Sequence, residues 1–446
     1  MGWLSAKTMD KMPRKSWYTL DNAGALYSSI ASSRLSTVYR MTAVLNDKVD
    51  PAALQKALDA VMPRFPYLNV TLRRGLFWYY YEYFDGKPRV QKESDYPCRT
   101  IRQKKGIFPF RILYYEKYIH LEMSHAICDG YGGLAFFKPL LVEYFRIKDG
   151  IVCQDLKGII DIHSPIEPQE YEDAFKKVYQ KKVPPPGRGE KAWHLPFKLL
   201  DKGQYLLITG TIPAEALLRE AKKYQCTLTQ FITALYFESI QEYVLDKKAK
   251  GKRLKQVIAI NIPVDLRGFF HINTLRNFFI SLNPSIDLSL GVYTRQEIID
   301  LVKGYMGLYI NAKNISRYIS RNVRNEELMV LRIIPLWIKR LAMPIIYKRY
   351  GESAYTSSVS NLGRIVLPEE LMGKIEAIQC FPPPSAGNKV KMVVSSCWNN
   401  LSISFGKTVA DKSIERLFFR KIRKLGIPVK IEGNTINQIE LKGGEH

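Results

Sequence analysis

A polar stretch rich in proline and lysine interrupts the chain and constrains how the rest can fold. Residues 166–203 contain the run "KKVPPPGRGEK" and lack the apolar periodicity of a core helix or strand. Segments of this composition usually connect domains. With 446 residues, the chain is also too long for one compact core. We therefore predict an N-terminal half over 1–165, a linker over 166–203 and a C-terminal half over 204–446.

Each half mixes strand and helix patterns. In the first, "RLSTVYRMTAVL" predicts a strand, and a helix follows with Asp50 as N-cap and a proline in its first turn. A hairpin is predicted to turn at 116–117. In the second, "QYLLITGTI" predicts a strand, Thr227 or Thr229 can cap a long helix, and a second hairpin turns at 399–400. The predicted fold class is α/β or α+β, built in layers.

The net charge of the chain limits the classes of partner that it attracts but does not identify one of them. The chain carries 67 basic and 42 acidic residues, for a formal net charge of +25. Such a field attracts anions, including nucleic acid, anionic membranes and phosphorylated cofactors. The basic residues lie in scattered clusters, such as the one at 246–255, and no nucleic-acid-binding signature accompanies them. We therefore expect no nucleic-acid partner.

The chain's opening and its cysteines favour a cytoplasmic protein. The start "MGWLSAKTMDK" lacks the apolar core of a secretory signal, and Lys7 follows Ala6 where a myristoylation site would want Ser or Thr. No apolar run is long enough to span a bilayer. The six cysteines show neither paired metal-ligand spacing nor a disulfide framework, so we expect reduced thiols and no bound metal.

One short stretch, "HLEMSHAICDGYGG", concentrates the residues that can do chemistry. It reads as a strand that ends at His125, followed by Asp129 and a glycine-rich turn into a helix. An imidazole at the end of a strand can face a cleft and exchange protons near neutral pH. The alternative is a structural histidine in a tight connection. Cys128 could instead be a thiolate activated by His125, although the sequence offers no residue to orient such a pair.

Two known sequence motifs do not match this turn. "GYGG" lacks the third glycine of a dinucleotide-binding loop. A serine nucleophile elbow needs the pattern GxSxG, whose central serine is missing here.

The residues "HAICDG" match the HxxxDG motif of the CoA-dependent acyltransferase superfamily, which includes chloramphenicol acetyltransferase and condensation domains. Three further segments in the same order resemble the superfamily: "WYTLDNAGALY" near the start, "NIPVDLRGFF…RNFF" at 261–279 and "SVSNLGRIVLP" at 358–368. The chain looks most similar to bacterial alcohol O-acetyltransferases and polyketide-associated acyltransferases. It departs from most condensation domains by having Ser124 where they carry a second histidine, and it lacks the plant branch's "DFGWG".

The resemblance implies a pseudo-dimer of two chloramphenicol acetyltransferase-like halves with a tunnel between them. His125 would lie in the tunnel as a general base, with a pKa of about 6–7. An alcohol or amine would then attack the thioester of acyl-CoA, or of an acyl carrier protein, directly. No permanently bound cofactor is implied, because acyl-CoA acts as a co-substrate. The alternative is a non-catalytic, condensation-like protein that binds carriers or lipids.

The resemblance also implies roles for other residues. Asp129 would be structural, paired with an arginine of the other half, for which Arg267 is the choice by position. The oxyanion donor stays open between the backbone N–H groups near Gly130 or Gly132 and the side chains of Asn277, Ser360 and Asn361.

Two basic segments complete the expectations. Lys222 and Lys223 resemble a coenzyme A-contacting stretch, although exposed lysine pairs are common on helices. The segment 332–350 is basic and apolar enough to touch a membrane surface, but we expect a packed helix broken by Pro335 and Pro344.

Overall fold

The computed structural model describes residues 17–32, 35–187, 190–249, 257–327 and 333–434. Its strands are β1 Trp17–Thr19, β2 Val38–Leu45, β3 Val70–Arg74, β4 Tyr79–Tyr83, β5 Gln91–Lys92, β6 Phe110–Tyr115, β7 Tyr118–Ser124, β8 Leu206–Pro213, β9 Val257–Asp265, β10 Phe279–Leu282, β11 Ser285–Asp287, β12 Ser357–Ile365, β13 Ile375–Phe381, β14 Val390–Cys397, β15 Asn400–Lys407 and β16 Lys430–Gly433. Its helices are α1 Asn22–Ile30, α2 Pro51–Val61, α3 Gly130–Asp149, α4 Ala174–Val178, α5 Ala214–Lys223, α6 Leu228–Ala249, α7 Arg267–Phe270, α8 Arg295–Tyr309, α9 Ala312–Glu327, α10 Leu336–Ile346 and α11 Ser413–Lys424.

The first half is built on a five-stranded sheet in the order β13-β2-β7-β6-β5. Along β2, Met41 and Ala43 alternate with Arg40 and Thr42 and pack into the same core as α2 and α3. Two helices therefore cover one face, while the opposite face carries buried polar side chains. β1, β4 and β3 form a separate three-stranded sheet.

The second half is built on a larger sheet in the order β10-β9-β12-β14-β15-β8-β16, with β11 paired to β9. The pairs β9–β12 and β12–β14 are parallel. On β14, Met392 and Val394 pack with α6 and α11, whereas Val393 and Cys397 belong to the core of the first half. One face of this sheet thus lies on its own helices and the other meets the first half.

One strand crosses between the halves. β13 comes from the predicted C-terminal half, yet it pairs antiparallel with β2, where Cys380 lies opposite Met41. The predicted linker also packs against the first half, because Glu170 accepts hydrogen bonds from both terminal guanidinium nitrogens of the buried Arg64. The division into 1–165, 166–203 and 204–446 stays a prediction, and the halves share a sheet.

Most local expectations from the sequence are confirmed. Asp50 caps α2 by accepting from Ala52 and Ala53, and β6 and β7 form a hairpin with residues 116–117 at its turn. Thr227, not Thr229, precedes α6 and accepts from the N–H of Gln230. The second hairpin was predicted one residue too late, since its turn is formed by 398–399.

None of the helices in the described ranges combines the length and apolar character needed to cross a membrane. Part of the basic cluster at 246–255 and the chain's opening residues lie outside the described ranges.

Candidate active site

The loop from β7 to α3 places His125 at the junction of several elements. Its backbone N–H donates to Thr37 O (2.8 Å), which continues the pairing of β7 with β2 by one step. The next residue, Ala126, accepts from the buried hydroxyl of Tyr81. At Gly24, a Cβ atom would stand 2.4 Å from Ala126 O, so only glycine lets α1 approach this loop.

The imidazole of His125 lies between two tyrosines. Its ring centroid is 5.0 Å from that of Tyr27 and 4.6 Å from that of Tyr39. Its Nδ1 is buried and has no hydrogen-bond partner among the described residues. Burial lowers the pKa of His125 to about 4; the nearby Asn277 side chain opposes this shift and the positive charge of Lys391 adds to it. The imidazole is therefore neutral at physiological pH, with a pKa below the expected 6–7.

Asp129 holds the loop from the other side. Its carboxylate caps α3 by accepting from the N–H groups of Tyr131 (3.1 Å) and Gly132 (3.2 Å). It also accepts from Arg267 Nη2 at 2.9 and 3.0 Å and from the Phe278 N–H at 3.0 Å. The carboxylate is fully engaged, so it orients the loop and has little capacity left for substrate.

The structure brings Arg267 and Asp129 together across the two halves. Arg267 is buried, and its guanidinium also donates to Thr274 O (2.7 Å) and Arg276 O (2.6 Å). A third contact joins it to Asp265 at 2.6 Å. A buried ion pair with this many additional hydrogen bonds is stable only as a unit, because losing one partner leaves a buried charge.

Glycines let the two halves approach at this loop. A Cβ atom on Gly132 would stand 2.1 Å from Leu275 O, a backbone atom that cannot move away cheaply. One on Gly130 would stand 2.7 Å from the Leu362 side chain of β12. The HxxxDG loop is thus pressed against the second half by both glycines.

Asn277 lies at the site and ties His125 to a residue that the sequence did not single out. Its Nδ2 donates to His125 O (3.0 Å) and to both carboxylate oxygens of Asp21 (3.2 Å each). Asp21 caps α1 through Gly24. Burial raises the pKa of Asp21 to about 7, although Arg276 opposes the shift. Asp21 is therefore a titratable group close to the loop of the neutral histidine.

The two β12 candidates point in different directions. Asn361 donates to Thr229 Oγ1 of α6 (2.8 Å), on the helix-covered side of the sheet. Ser360 alternates with Val359, which packs in the core of the second half, and shares a face with Leu362, which packs against the first. The structure thus places Ser360, but not Asn361, on the face toward the HxxxDG loop.

The lysine pair assigned to coenzyme A sits on the surface. Lys222 and Lys223 end α5, both side chains are exposed, and Lys223 pairs with Glu220 at 2.6 Å. No contact places either lysine beside His125, and their predicted role stays a prediction.

Lys391 carries a positive charge that influences His125 and that the sequence analysis did not single out. It shares the β14 face of Val393 and Cys397, which is the face toward the first half. Burial lowers its pKa to about 8, opposed by Glu352. The signal available beforehand was a lysine within the apolar strand run "VKMVVSSC". Its position became interpretable only once β14 was placed between the halves.

Cys128 is not arranged as a nucleophile. Its Sγ contacts Tyr39 Oη at 3.3 Å and Met123 Sδ at 2.8 Å, inside the core. Burial raises the pKa of the Cys128 thiol well above its ordinary value. The thiol therefore stays protonated, which disfavours the cysteine–histidine pair considered from the sequence.

Two cavities approach the HxxxDG loop, and His125 lines neither of them. The first includes residues on either side of His125, namely Thr37, Ser124 and Ala126. The second includes Ile127, Cys128, Gly132 and Leu275. The predicted tunnel through the imidazole therefore stays a prediction. Within the described ranges, no cluster of three or more His, Cys, Asp or Glu side chains could hold a metal ion.

No protein-family profile and no curated protein matches this sequence. Solved structures do match. F. graminearum TRI101, complexed with coenzyme A and deoxynivalenol, is 11% identical with a TM-score of 0.61, covering 93% of this chain and 99% of that one. The first condensation domain of the CDA synthetase is 12% identical with a TM-score of 0.58, covering 92% and 95%.

A variant of the starter condensation domain of rhizomide synthetase RzmA, in complex with C8-CoA, is 13% identical. Its TM-score is 0.55, and the match covers 92% of this chain and 94% of that one. At such identities the likeness establishes the fold. The chain therefore has the two-lobed α/β fold that TRI101 and these condensation domains share, as the sequence predicted.

Proposed function

We propose that this protein is an acyltransferase that moves an acyl group from acyl-CoA, or from an acyl-carrier thioester, to an alcohol or amine. The observation that carries the proposal is the neutral His125 imidazole, which lies between Tyr27 and Tyr39 just beyond β7. The loop that holds it is fixed across both halves by Asp129 and Arg267. A neutral, rigidly held imidazole can accept a proton as a general base, and its lowered pKa makes it a weaker base than a histidine that titrates near neutral pH.

In the proposed mechanism, Nε2 of His125 accepts the proton of the acceptor's hydroxyl or amine, because Nδ1 is enclosed. The acceptor's oxygen or nitrogen bonds to the thioester carbonyl carbon, giving a tetrahedral oxyanion. The carbon–sulfur bond then breaks, and the imidazolium returns its proton to the departing thiolate. Ser360 is the side chain that we propose as oxyanion donor, with the Gly130 backbone N–H as the alternative.

A thioester donor is supported by the neighbours and by the charge. Two of the matched structures hold coenzyme A or C8-CoA. The net charge of +25 attracts a phosphorylated donor or an acidic carrier protein. Both forms of donor present the same thioester carbon to His125.

A non-catalytic binding protein is the second candidate. The arrangement of the cavities favours it, because His125 lines neither cavity that reaches its loop. Such a protein would bind a carrier or lipid and release no thiol.

Mass spectrometry of the products from acyl-CoA donors of increasing chain length, with panels of alcohols and amines, tests the proposal. We expect an ester or amide from the wild type and from Cys128→Ala, and loss of about 10²–10⁴-fold in rate for His125→Ala. Equal rates for wild type and His125→Ala would refute catalysis by His125. Acyl-CoA binding without product in any combination would favour the binding protein.

A further inference from the structure

Helix α10 exposes an apolar face in place of burying it. Trp337, Leu341 and Ile345 are spaced four residues apart, so they lie along one side of the helix. Their exposed fractions are 64%, 68% and 70%. Ile338 and Ile346 are exposed as well. The helix was predicted to be packed and broken by Pro335 and Pro344; it begins after Pro335 but runs through Pro344, and another side of it, with Leu336 buried, attaches it to the protein.

The tip of the β3–β4 hairpin extends this face. The Leu336 N–H donates to Leu76 O (2.8 Å), and Lys339 Nζ donates to Phe77 O (3.0 Å). Lys339 Nζ also lies 3.9 Å from the centroid of the Trp78 ring. Leu76 and Trp78 are themselves largely exposed. These contacts fix the hairpin tip, with its exposed Leu76 and Trp78, beside the first turn of α10.

We call this the α10 surface and define it by its eight exposed side chains. They are Leu76, Trp78, Ile333, Trp337, Ile338, Leu341, Ile345 and Ile346. The described part of the chain has 22 large exposed apolar side chains, so over a third of them gather here. Apolar groups that collect in one patch usually mark a contact surface, whereas scattered ones do not.

Positive charge borders the α10 surface. Arg340, Lys348 and Arg349 are exposed on or just beyond α10. The sequence has no Asp or Glu between residues 333 and 351, and the next acidic residue, Glu352, is buried. A partner that covers this face must therefore accept bulky apolar side chains and carry negative charge next to them.

We propose that the α10 surface docks the protein onto a membrane that contains anionic lipids. The interface of such a bilayer offers acyl chains to Trp337, Leu341 and Ile345 and negatively charged headgroups to the basic residues. An acidic protein would match the charges but would have to bury at least as many apolar side chains of its own. A second copy of this chain would bring the same positive charges together. The inference does not depend on acyl transfer.

Flotation of the full chain with phosphatidylcholine vesicles, with and without phosphatidylglycerol, tests the proposal. We expect binding only to the vesicles with phosphatidylglycerol, weakened by added salt. The double variant Trp337→Ser/Leu341→Ser should partition about tenfold more weakly. Leu290→Ser/Val292→Ser, equally exposed on the second half, is the matched control and should bind like the wild type.

A charge-reversal pair keeps the test independent of the apolar variant's folding. Arg340→Glu/Lys348→Glu should weaken binding about tenfold, and Arg416→Glu/Arg420→Glu, exposed on α11, should not. Absence of wild-type binding at low salt would overturn the proposal. Equal losses in the control variants would also overturn it. So would sedimentation showing that the α10 surface holds a dimer, or binding to an acidic carrier protein that the same variants abolish while vesicles stay unbound.

Discussion

Strand β7 carries two buried histidines whose surroundings differ. His120 lies among charges: its Nδ1 is 2.9 Å from Thr42 Oγ1, and its Nε2 is 3.5 Å from a Glu93 carboxylate oxygen. His125, just beyond the strand, has two tyrosine rings as neighbours and an unpartnered Nδ1. Burial lowers the pKa of both imidazoles. The two residues therefore share a charge state but not a set of partners.

The region around His120 is an almost closed network. Glu122 is buried and is held by Arg40, by Arg111 and by the N–H of Cys98. Its pKa is lowered because these donors outweigh the burial. One nitrogen of each imidazole lacks a hydrogen bond, but His120 Nε2 faces the Glu93 carboxylate, whereas His125 lies between the rings of Tyr27 and Tyr39. The proposed chemistry at His125 therefore predicts different effects when each histidine is replaced.

Replacing the two histidines separately gives the largest contrast. His125→Ala should lower the rate of acyl transfer by about 10²–10⁴-fold, with a loss of stability limited to the packing of the ring between Tyr27 and Tyr39. His120→Ala should leave most of the activity and lower the melting temperature. Steady-state rates and thermal melts of both variants measure this, and equal losses of activity would break the comparison.

Removing the centre of the network tests its structural role. Glu122→Ala leaves Arg40 and Arg111 short of a buried partner and should lower the free energy of unfolding by about 3–5 kcal/mol. Urea denaturation measures the loss. Glu376→Ala is the control on the same sheet, because its pairs with Lys117 and Lys430 are partly exposed and should contribute less than about 1 kcal/mol. Similar losses for both variants would contradict the assignment.

Asp21 gives the region of His125 a distinct pH dependence. Its folded-state pKa of about 7 lies above its ordinary value, so the stability that it contributes is present in acid and lost as the pH rises toward 7. His125 acts oppositely, because its lowered pKa costs stability in acid. Asp21→Asn keeps an N-cap on α1 and removes the pH dependence that comes from the Asp21 carboxyl. Between pH 4 and pH 8, it should gain about 4 kcal/mol of stability relative to wild type, measured by urea denaturation. An unchanged difference across that range would refute the shift.

The smallest expected effect is on the pH dependence of the rate and comes from Lys391. Its positive charge lowers the pKa of His125 slightly further than burial alone does. Lys391→Met should move the acid limb of the pH–rate profile to higher pH, because the imidazolium becomes easier to form. Lys391→Arg keeps the charge and should leave the limb in place. A limb that moves equally in both variants would mean that packing, not charge, is responsible.

The features that could be predicted from the sequence are those that short stretches of neighbouring residues determine. The Asp50 cap and the hairpin at 116–117 follow from adjacent residues, and the fold followed from motifs in a fixed order. The second hairpin shifted because Trp398 adopts a positive φ of 55°, which its side chain did not signal. Asp21 and Lys391 were missed because they lie 104 and 266 residues from His125 in the sequence. That juxtaposition is a property of tertiary packing.

β13 has a consequence for how the chain is made. Its hydrogen bonds to β2 join residues that are more than 300 positions apart. During synthesis, the edge of β2 has no partner strand until residues 375–381 have left the ribosome. A fragment ending at residue 203 would keep that edge bare, and bare edges recruit other strands. Dividing the gene at the linker would thus yield an aggregating piece, while both pieces expressed together could assemble.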